Sequence, residues 1–285
     1  MTTRRDVVKA IAALAATGIV PRAARAARAA RAFGADRIER IGVQLYTVRS
    51  LMANDMAGTL AAVAAAGYQE VEFAGYFGRS PSEVKQLLAD HGLTAPSTHL
   101  SLDDVQARFD ATADSARTIG IRYLTVASLD MRSITTADDW KRVAGIFNDA
   151  GRRAATAGLR FAYHNHSVEF TAADGVIPMD ILLGETDPAL VSFEMDLYWA
   201  VKAGQDPRAY FTRYPGRFAM VHVKDATPAP AREMTDVGSG SIDWKSIFAL
   251  HTKAGIRHYF VEHDNPADPM ASITKSAGYL KALTF

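Results

Sequence analysis

Carboxylate and imidazole side chains stand at the ends of six short apolar runs in this 285-residue chain. They are Glu72, His99, His164 with His166, Asp196, His222 with Lys224, and Glu262 with Asp264. Oxygen and nitrogen ligands without a thiolate suit Mn, Zn, Co or Fe ions, and Mg less readily. The chain contains no Cys, which excludes a cysteine-based zinc site and a thiol nucleophile. These residue types predict chemistry at one divalent metal ion, provided that the fold brings them together.

The surrounding sequence alternates between short apolar runs and longer helical stretches. The apolar runs predict β-strands over residues 41–46, 68–73, 94–99, 123–127, 159–164, 191–196, 218–223 and 259–262. The helical stretches cover residues 54–66, 82–91, 103–119, 136–157, 178–186, 206–214, 243–254 and 270–282. Five helical stretches are followed by a glycine that is typical of a helix C-cap, namely Gly67, Gly92, Gly120, Gly158 and Gly255. Eight such units predict an α/β fold, a (β/α)8 TIM barrel that forms a single domain over residues 38–285.

An open doubly wound sheet is the alternative for this alternation of strands and helices. That fold often carries a glycine-rich turn after its first strand, and no such turn follows residues 41–46. In a barrel, the carboxyl ends of all strands meet at one mouth. Asp196, His222 and Glu262 end three neighbouring strands and are therefore predicted to bind one metal ion. The alternative is that they are unrelated polar caps that hydrogen-bond to loop backbone.

Four stretches near the ends of the last three strands carry a resemblance to a known family. They read Glu-Met-Asp-Leu-Tyr-Trp at 194–199, Val-His-Val-Lys-Asp at 221–225, Val-Gly-Ser-Gly-Ser-Ile-Asp-Trp at 237–244 and Phe-Val-Glu-His-Asp at 260–264. Together they resemble the xylose isomerase-like sugar phosphate isomerase/epimerase superfamily, over essentially all of the chain after about Arg40. The resemblance implies a TIM barrel with one divalent metal, held by a Glu, an Asp, a His and a second Glu from strands five to eight. Asp196, His222 and Glu262 match the last three of these ligands.

The fifth strand departs from the family pattern. Where many members end this strand with Glu, the chain has Tyr-His-Asn-His at 163–166, followed by Ser-Val-Glu at 167–169. His164 takes the place of the first Glu, and Glu169 is the alternative ligand if the chain folds back to supply a carboxylate. His166 is predicted to contact substrate. A comparable His-rich fifth strand occurs in relatives that resemble inosose dehydratase, which eliminate water from a keto-cyclitol.

The resemblance implies a metal-dependent isomerase or epimerase that acts on a sugar or keto-sugar through an enediolate. Glu262 is the preferred base, and His164 or His166 is the acid on the other side. Lys224 stabilises the oxyanion, or else forms an ordinary salt bridge with Asp225. Expulsion of a β substituent would make the same site a lyase or dehydratase, which is the alternative function.

Three further side chains are predicted to bind substrate. Glu72 ends the second strand, His99 ends the third, and Trp199 lies just beyond Asp196, where its indole can stack on a sugar face. A satisfied structural histidine and an indole that only covers the core are the alternatives for His99 and Trp199. Glu194 lies one layer deeper than Asp196 and is predicted to be structural.

Residues 1–32 have the features of a cleaved twin-arginine signal peptide. Arg4 and Arg5 precede a weakly apolar run, and Ala-Arg-Ala triplets follow Pro21. We expect export to the periplasm or another compartment outside the cytoplasmic membrane, with no membrane attachment after cleavage. A basic amphipathic helix or a disordered tail is the alternative.

The charge of the remaining chain bears on its partners. Residues 1–32 contain seven of the 32 basic and one of the 31 acidic residues, so removing them leaves 25 basic and 30 acidic residues, a net charge of −5. This sign disfavours a nucleic-acid partner and, with it, a metal-dependent nuclease of the same superfamily. The expected partner is an unphosphorylated small-molecule sugar or keto-sugar. A non-catalytic sugar-binding barrel is the remaining alternative, and the resemblance allows a homo-oligomer.

Overall fold

The computed structural model describes residues 36–285. The signal peptide predicted over residues 1–32 lies outside these residues. Among the described helices, none has both the length and the apolar character needed to cross a lipid bilayer.

Eight parallel strands form a closed barrel, as the alternation of strands and helices predicts. In chain order they are β1 (Gly42–Gln44), β2 (Glu70–Phe73), β3 (Thr94–Leu100), β4 (Tyr123–Val126), β5 (Arg160–His164), β6 (Val191–Asp196), β7 (Phe218–Val223) and, after a short hairpin, β10 (His258–Val261). The barrel closes because β1 pairs with both β2 and β10. The hairpin consists of β8 (Asp225–Ala226) and β9 (Met234–Thr235), which pair antiparallel. The fold is a single (β/α)8 TIM barrel.

Helices follow the barrel strands along the chain. They are α1 (Arg49–Asn54), α2 (Met56–Ala66), α3 (Pro81–Asp90), α4 (Leu102–Gln106), α5 (Phe109–Ile119), α6 (Ala137–Thr156), α7 (Pro178–Glu185), α8 (Leu197–Lys202), α9 (Pro207–Arg213), α10 (Trp244–Phe248), α11 (His251–Ala254) and α12 (Pro269–Ala282). The stretches predicted as single helices over 103–119 and 243–254 are each divided into two. The short helices α1 and α8 were not predicted, since each is a brief segment at the carboxyl end of a strand.

Local side-chain signals set the helix ends. Ser80 and Glu83 form a capping box at the start of α3, in which each side chain accepts a hydrogen bond from the backbone N–H of the other. Gly67 ends α2 with a φ of 95°, a left-handed conformation that a side chain would strain. These signals return the chain to the next strand without a long loop.

A small apolar cluster consists of Tyr123, Ala162, Ala219, Met220 and Phe260. Side chains two residues apart on a strand face the same side. Ala162, Met220 and Phe260 therefore lie directly beneath the residues that follow them by two, which form the site described below. Gly42 permits this packing, because a Cβ there would lie 2.5 Å from the Phe260 ring.

Candidate metal centre

Four side chains at the carboxyl ends of β5, β6, β7 and β10 form a compact group. They are His164, Asp196, His222 and Glu262, and one ligand atom from each lies within 4.8 Å of the other three. All four side chains are buried, with at most 5% of the residue surface exposed. We call them the outer group. It brings together the three ligands predicted from strands six to eight, and His164 joins them from the fifth strand.

The hydrogen bonds of His164 determine which ring nitrogen can bind a metal. Its Nδ1 lies 3.1 Å from the carbonyl oxygen of Ala127, which can only accept a hydrogen bond. Nδ1 therefore carries the proton, and the lone pair of Nε2 faces Asp196 at 3.4 Å. Burial and the neighbouring His222 lower the pKa of His164 to about 3. The ring is neutral, which is the form that binds metals.

The two carboxylates of the outer group stay ionised. Burial alone would raise the pKa of Glu262, but Lys224 and His222 hold it well below its ordinary value. Burial also opposes ionisation of Asp196, yet the neighbouring ammonium of Lys224 lowers its pKa to about 2. Both side chains are therefore carboxylates at neutral pH, as metal binding requires.

Lys224 lies against the same carboxylates. Its Nζ is 2.9 Å from Asp196 Oδ2, 2.7 Å from Glu262 Oε2 and 2.8 Å from Asp264 Oδ1. Burial would lower the pKa of Lys224, but these three partners raise it well above its ordinary value. Lys224 does not form the salt bridge with Asp225 that was the alternative expected from the sequence. Asp225 instead accepts hydrogen bonds from loop backbone and from Trp244.

Glu169, the alternative fourth ligand, lies outside the outer group. One carboxylate oxygen accepts a short hydrogen bond from the Tyr163 hydroxyl, and the other accepts the backbone N–H of His166 at 2.8 Å. Burial raises the pKa of Glu169, and Tyr163 partly offsets this. The geometry places His164 among the other candidate ligands and assigns Glu169 to holding the turn that carries His166.

A second set of ionisable side chains lies against His222. We call Glu72, His99 and Glu194 the inner group. His222 Nε2 is 2.7 Å from Glu72 and 3.2 Å from Glu194, while His99 Nε2 is 3.3 Å and 2.8 Å from the same two carboxylates. Glu72 and Glu194 are fully buried, and each has one oxygen, Oε1, without a hydrogen-bond partner. Glu194, expected from the sequence to be structural, contacts His222, and the sequence pattern carries no signal for this contact.

A cavity of about 770 Å³ opens at the outer group. Among its lining residues are His99, His164, His166, Lys224 and Glu262, all predicted site residues. Tyr46, Tyr76 and Leu100 line it on the side of β1 to β3. Glu72 is not among the lining residues, because its side chain lies beneath the ring of His222.

Trp199 lies beside the cavity-lining His166. The two ring centres are 5.8 Å apart, and Lys224 Nζ lies 5.8 Å from the centre of the Trp199 ring. The indole Nε1 is buried and has no hydrogen-bond partner. Burial lowers the pKa of His166, so its ring is neutral at neutral pH. Trp199 and His166 therefore present an unpaired donor and a neutral imidazole beside the outer group.

The outer group fits a divalent transition-metal ion. Its donors are two imidazole nitrogens and two carboxylate oxygens, a set that suits Zn, Mn, Fe or Co. The tautomer of His164 leaves a lone pair directed at the other donors. A TIM barrel with this candidate centre at the carboxyl ends of its strands is typical of barrel enzymes.

The chain belongs to the xylose isomerase-like TIM barrel family, whose model matches residues 60–283. It is 26% identical over 257 residues to an inosose dehydratase from Lacticaseibacillus casei, covering 76% of this chain and 86% of the relative. A solved sugar phosphate isomerase/epimerase from Parabacteroides distasonis is 29% identical, with a TM-score of 0.76, covering 86% of this chain and 98% of the other. The solved structure of the IolI protein with a bound zinc atom is 13% identical, with a TM-score of 0.68 over 85% of this chain and 96% of the other, which shows a shared fold. The family is one of enzymes, and its named members include both isomerases or epimerases and dehydratases.

Proposed function

We propose that this protein is a divalent-metal-dependent enzyme that removes a proton beside the carbonyl of a small sugar, keto-sugar or keto-cyclitol. The observation that carries the proposal is the outer group, which opens into a cavity that His166 and Lys224 also line. His164, Asp196, His222 and Glu262 would hold the metal. When bound, such an ion polarises a carbonyl and makes the neighbouring C–H bond more acidic.

His166 is the group we assign to proton transfer. It lines the cavity, its ring is neutral, and its backbone is held in place by the buried Glu169. Glu262, the base predicted from the sequence, is held as a weakly basic carboxylate by Lys224 and His222. A general base works best when its pKa lies near the working pH, which favours His166 over Glu262.

Lys224 is assigned to the negative charge that develops on the substrate oxygen. All three of its N–H donors are directed at carboxylates. Asp264 is the most exposed of these partners, so it is the one that a substrate oxygen can replace. The remaining two contacts keep the ammonium beside the outer group.

Elimination of water is the reaction we favour. In this reaction His166 takes the proton from carbon and a C=C bond forms as the C–O bond to the β hydroxyl breaks. His166 then returns its proton to the β hydroxyl, which leaves as water. The fifth strand supplies an imidazole, His164, so the outer group has one glutamate, Glu262, where the family pattern that the sequence resembles has two. The similarity to inosose dehydratase over most of that relative supports the same reaction class.

Isomerisation or epimerisation is the second candidate. It is supported by the solved isomerase/epimerase that is 29% identical to this chain. Both reactions begin with removal of the same proton, and they differ in whether the carbon is reprotonated or a β hydroxyl is expelled. The same outer group, His166 and Lys224 serve either outcome.

Turnover in D2O distinguishes the two reactions. Protein loaded with Mn, Co or Zn is incubated separately with an inosose and with keto-sugars, and products are analysed by mass spectrometry. Elimination lowers the product mass by one water, whereas isomerisation or epimerisation preserves the composition and incorporates deuterium. No product and no deuterium exchange from any of these substrates would contradict the proposal.

If His166 is the base, its replacement should lower turnover without lowering the metal content. His166→Gln should reduce turnover by about 10²–10⁴-fold because it removes the base, while the bound metal content stays the same. Glu262→Gln should lose metal as well as turnover. Wild-type turnover in His166→Gln would show that another group removes the proton.

The pH profile gives an independent check. Because burial holds the pKa of His166 below its ordinary value, the neutral, active ring persists down to pH values below about 6.5. We expect kcat/KM to be flat near neutrality and to fall as the pH drops through this lowered pKa. Metal content is measured at each pH as the control. A rate that instead falls as the pH rises through this range would mean that the protonated ring is the active form.

Export by residues 1–32 belongs to the same proposal. The twin-arginine pattern supports it, and an exported enzyme would meet unphosphorylated sugars. The test is cell fractionation of the full chain beside a variant in which Arg4 and Arg5 are both replaced by Lys. Equal amounts of both proteins outside the cytoplasmic membrane would contradict this route.

A further inference from the structure

The contacts that His222 makes with Glu72 and Glu194 indicate how this histidine is held in the outer group. We propose that Gln44 and Glu72 form a positioning relay, which places the proton of His222 on Nε2 and leaves Nδ1 to bind the metal. The inference rests on the proposed metal site, and it assigns Glu72 a role other than the substrate contact expected from the sequence.

The relay begins at the backbone of the first strand. The N–H of Tyr46 donates to Gln44 Oε1 at 3.0 Å, and a backbone N–H can only donate. This contact fixes the orientation of the Gln44 amide. Its NH2 group therefore faces Glu72 and donates to Oε2 at 2.8 Å.

The same oxygen of Glu72 also accepts a hydrogen bond from His222. The distance from His222 Nε2 to Glu72 Oε2 is 2.7 Å, and a carboxylate oxygen accepts. His222 Nε2 therefore donates to Glu72 and carries a proton. The other nitrogen, Nδ1, lies 2.8 Å from Glu262 Oε2, within the outer group, and donates to this carboxylate oxygen in the metal-free protein. A metal ion at Nδ1 would displace this proton, whereas the hydrogen bond from Nε2 to Glu72 would be kept.

Glu194 and His99 reinforce this arrangement. Glu194 Oε2 lies 3.2 Å from the same His222 Nε2 and accepts a hydrogen bond from His99 Nε2 at 2.8 Å. Two carboxylates thus face the Nε2–H of His222. When a metal-binding histidine donates its other N–H to a carboxylate, its ring is held in place and its free nitrogen becomes a stronger ligand.

Two members of the inner group, His99 and Glu194, could instead form a second metal site with His164 and His222. Ligand atoms of His99, His164, Glu194 and His222 also lie within 4.8 Å of one another. That site would need a lone pair on His222 Nε2, where the relay places a proton. It would also need His164 Nε2, which faces Asp196 in the outer group. We therefore infer one metal ion in the outer group and a hydrogen-bonded network in the inner group.

The experiment measures metal binding by the purified protein without substrate. Stoichiometry is determined by elemental analysis, and Co²⁺ affinity by isothermal titration, with the visible Co²⁺ spectrum recorded at saturation. The variants are Glu72→Gln, which replaces a double acceptor, and the matched control Glu70→Gln. Glu70 lies two residues earlier on β2 and also contacts a histidine, His258, at 2.8 Å.

We expect one Co²⁺ per chain in the wild type. Glu72→Gln should weaken Co²⁺ binding by about 10–100-fold and shift the Co²⁺ spectrum, while still binding one ion at saturation. Glu72→Asp should recover part of the affinity because it restores a carboxylate. Glu70→Gln should bind Co²⁺ like the wild type. If Glu72→Gln does not fold, Gln44→Met replaces it in the test, and a several-fold weaker affinity is expected.

Three results would overturn the relay, and they are distinguishable. Unchanged Co²⁺ affinity and spectrum in Glu72→Gln would remove the positioning role while leaving the proposed metal site intact. Two ions per wild-type chain, one of them lost in Glu194→Gln, would make the inner group a second metal site. A wild-type chain that binds no Mn, Co or Zn would remove the proposed metal site itself and the relay with it.

Discussion

Two glutamates on the same strand make similar contacts with opposite consequences. Glu70 lies 2.8 Å from His258, and Glu72, two residues later, lies 2.7 Å from His222. Arg40 binds the second oxygen of Glu70 at 3.0 Å, so both oxygens of that carboxylate have partners. The second oxygen of Glu72 is buried without one.

Charge compensation separates the two regions. Around Glu70, an arginine and a histidine face one carboxylate. Around His222, the buried carboxylates of Glu72, Glu194, Asp196 and Glu262 face the ammonium of Lys224 and the ring of His222 itself. Burial would lower the pKa of His222, but Glu194 and Glu262 raise it well above its ordinary value, so two cations face four carboxylates. Buried charges require partners, because desolvation is costly. The Glu70 region is complete in the protein alone, whereas the outer group has carboxylates that a bound cation would neutralise.

Replacing one carboxylate in each region should produce the largest difference between the two regions. Asp196→Asn should weaken metal binding by more than about 100-fold, since it removes a ligand rather than a supporting partner. Asparagine keeps the side-chain cap on the Trp199 N–H, so α8 remains intact. Glu70→Gln should instead lower the free energy of unfolding by about 1–3 kcal/mol and leave metal affinity unchanged.

Calorimetric metal titration and denaturant unfolding on the same samples check both expectations. Wild-type metal affinity in Asp196→Asn would remove this residue from the ligand set. A loss of metal affinity in Glu70→Gln would mean that the two regions are coupled through the barrel.

The cations of the two regions should also behave differently. Lys224 shares Asp196 Oδ2 and Glu262 Oε2 with the proposed metal, so its charge opposes metal binding. Lys224→Met should therefore tighten metal binding by about tenfold, although it lowers the stability of the metal-free protein. Arg40→Met should lower stability only. Metal titrations and thermal unfolding with and without metal measure both effects, and weaker binding by Lys224→Met would show that the lysine supports the metal site.

The barrel and the meeting of three predicted ligands follow from two features of the sequence, namely the alternation of strands and helices and the residues at the strand ends. The alternation of strands and helices predicted the barrel, and the convergence of strand ends predicted that Asp196, His222 and Glu262 would meet. These inferences succeed because strand direction and the two-residue period are local properties. The bounds of β6 and β7 also match the predicted 191–196 and 218–223.

Contacts between strands were not predictable in the same way. The link from Gln44 through Glu72 to His222 joins residues on β1, β2 and β7, and its register depends on barrel closure. Lys224 contacts Asp264 rather than Asp225 for a similar reason, because β7 and β10 are neighbours in the barrel. Sequence spacing identified the residue types, but only the closed barrel determines which atoms meet.

The smallest expected effect concerns an N–H that lacks a partner in the protein. Trp199 Nε1 is buried without an acceptor beside the cavity-lining His166, whereas Trp244 Nε1 donates to the buried Asp225 at 3.1 Å. If the first N–H binds substrate, Trp199→Phe should raise KM by about two- to tenfold and leave the free energy of unfolding nearly unchanged, since no bond within the protein is lost. Trp244→Phe should do the reverse, lowering the free energy of unfolding by about 1–3 kcal/mol because it removes a donor from a buried carboxylate. Steady-state kinetics and denaturant unfolding measure both variants. An unchanged KM in Trp199→Phe would assign this indole to covering the core, and the unpaired donor would then have no role in binding substrate.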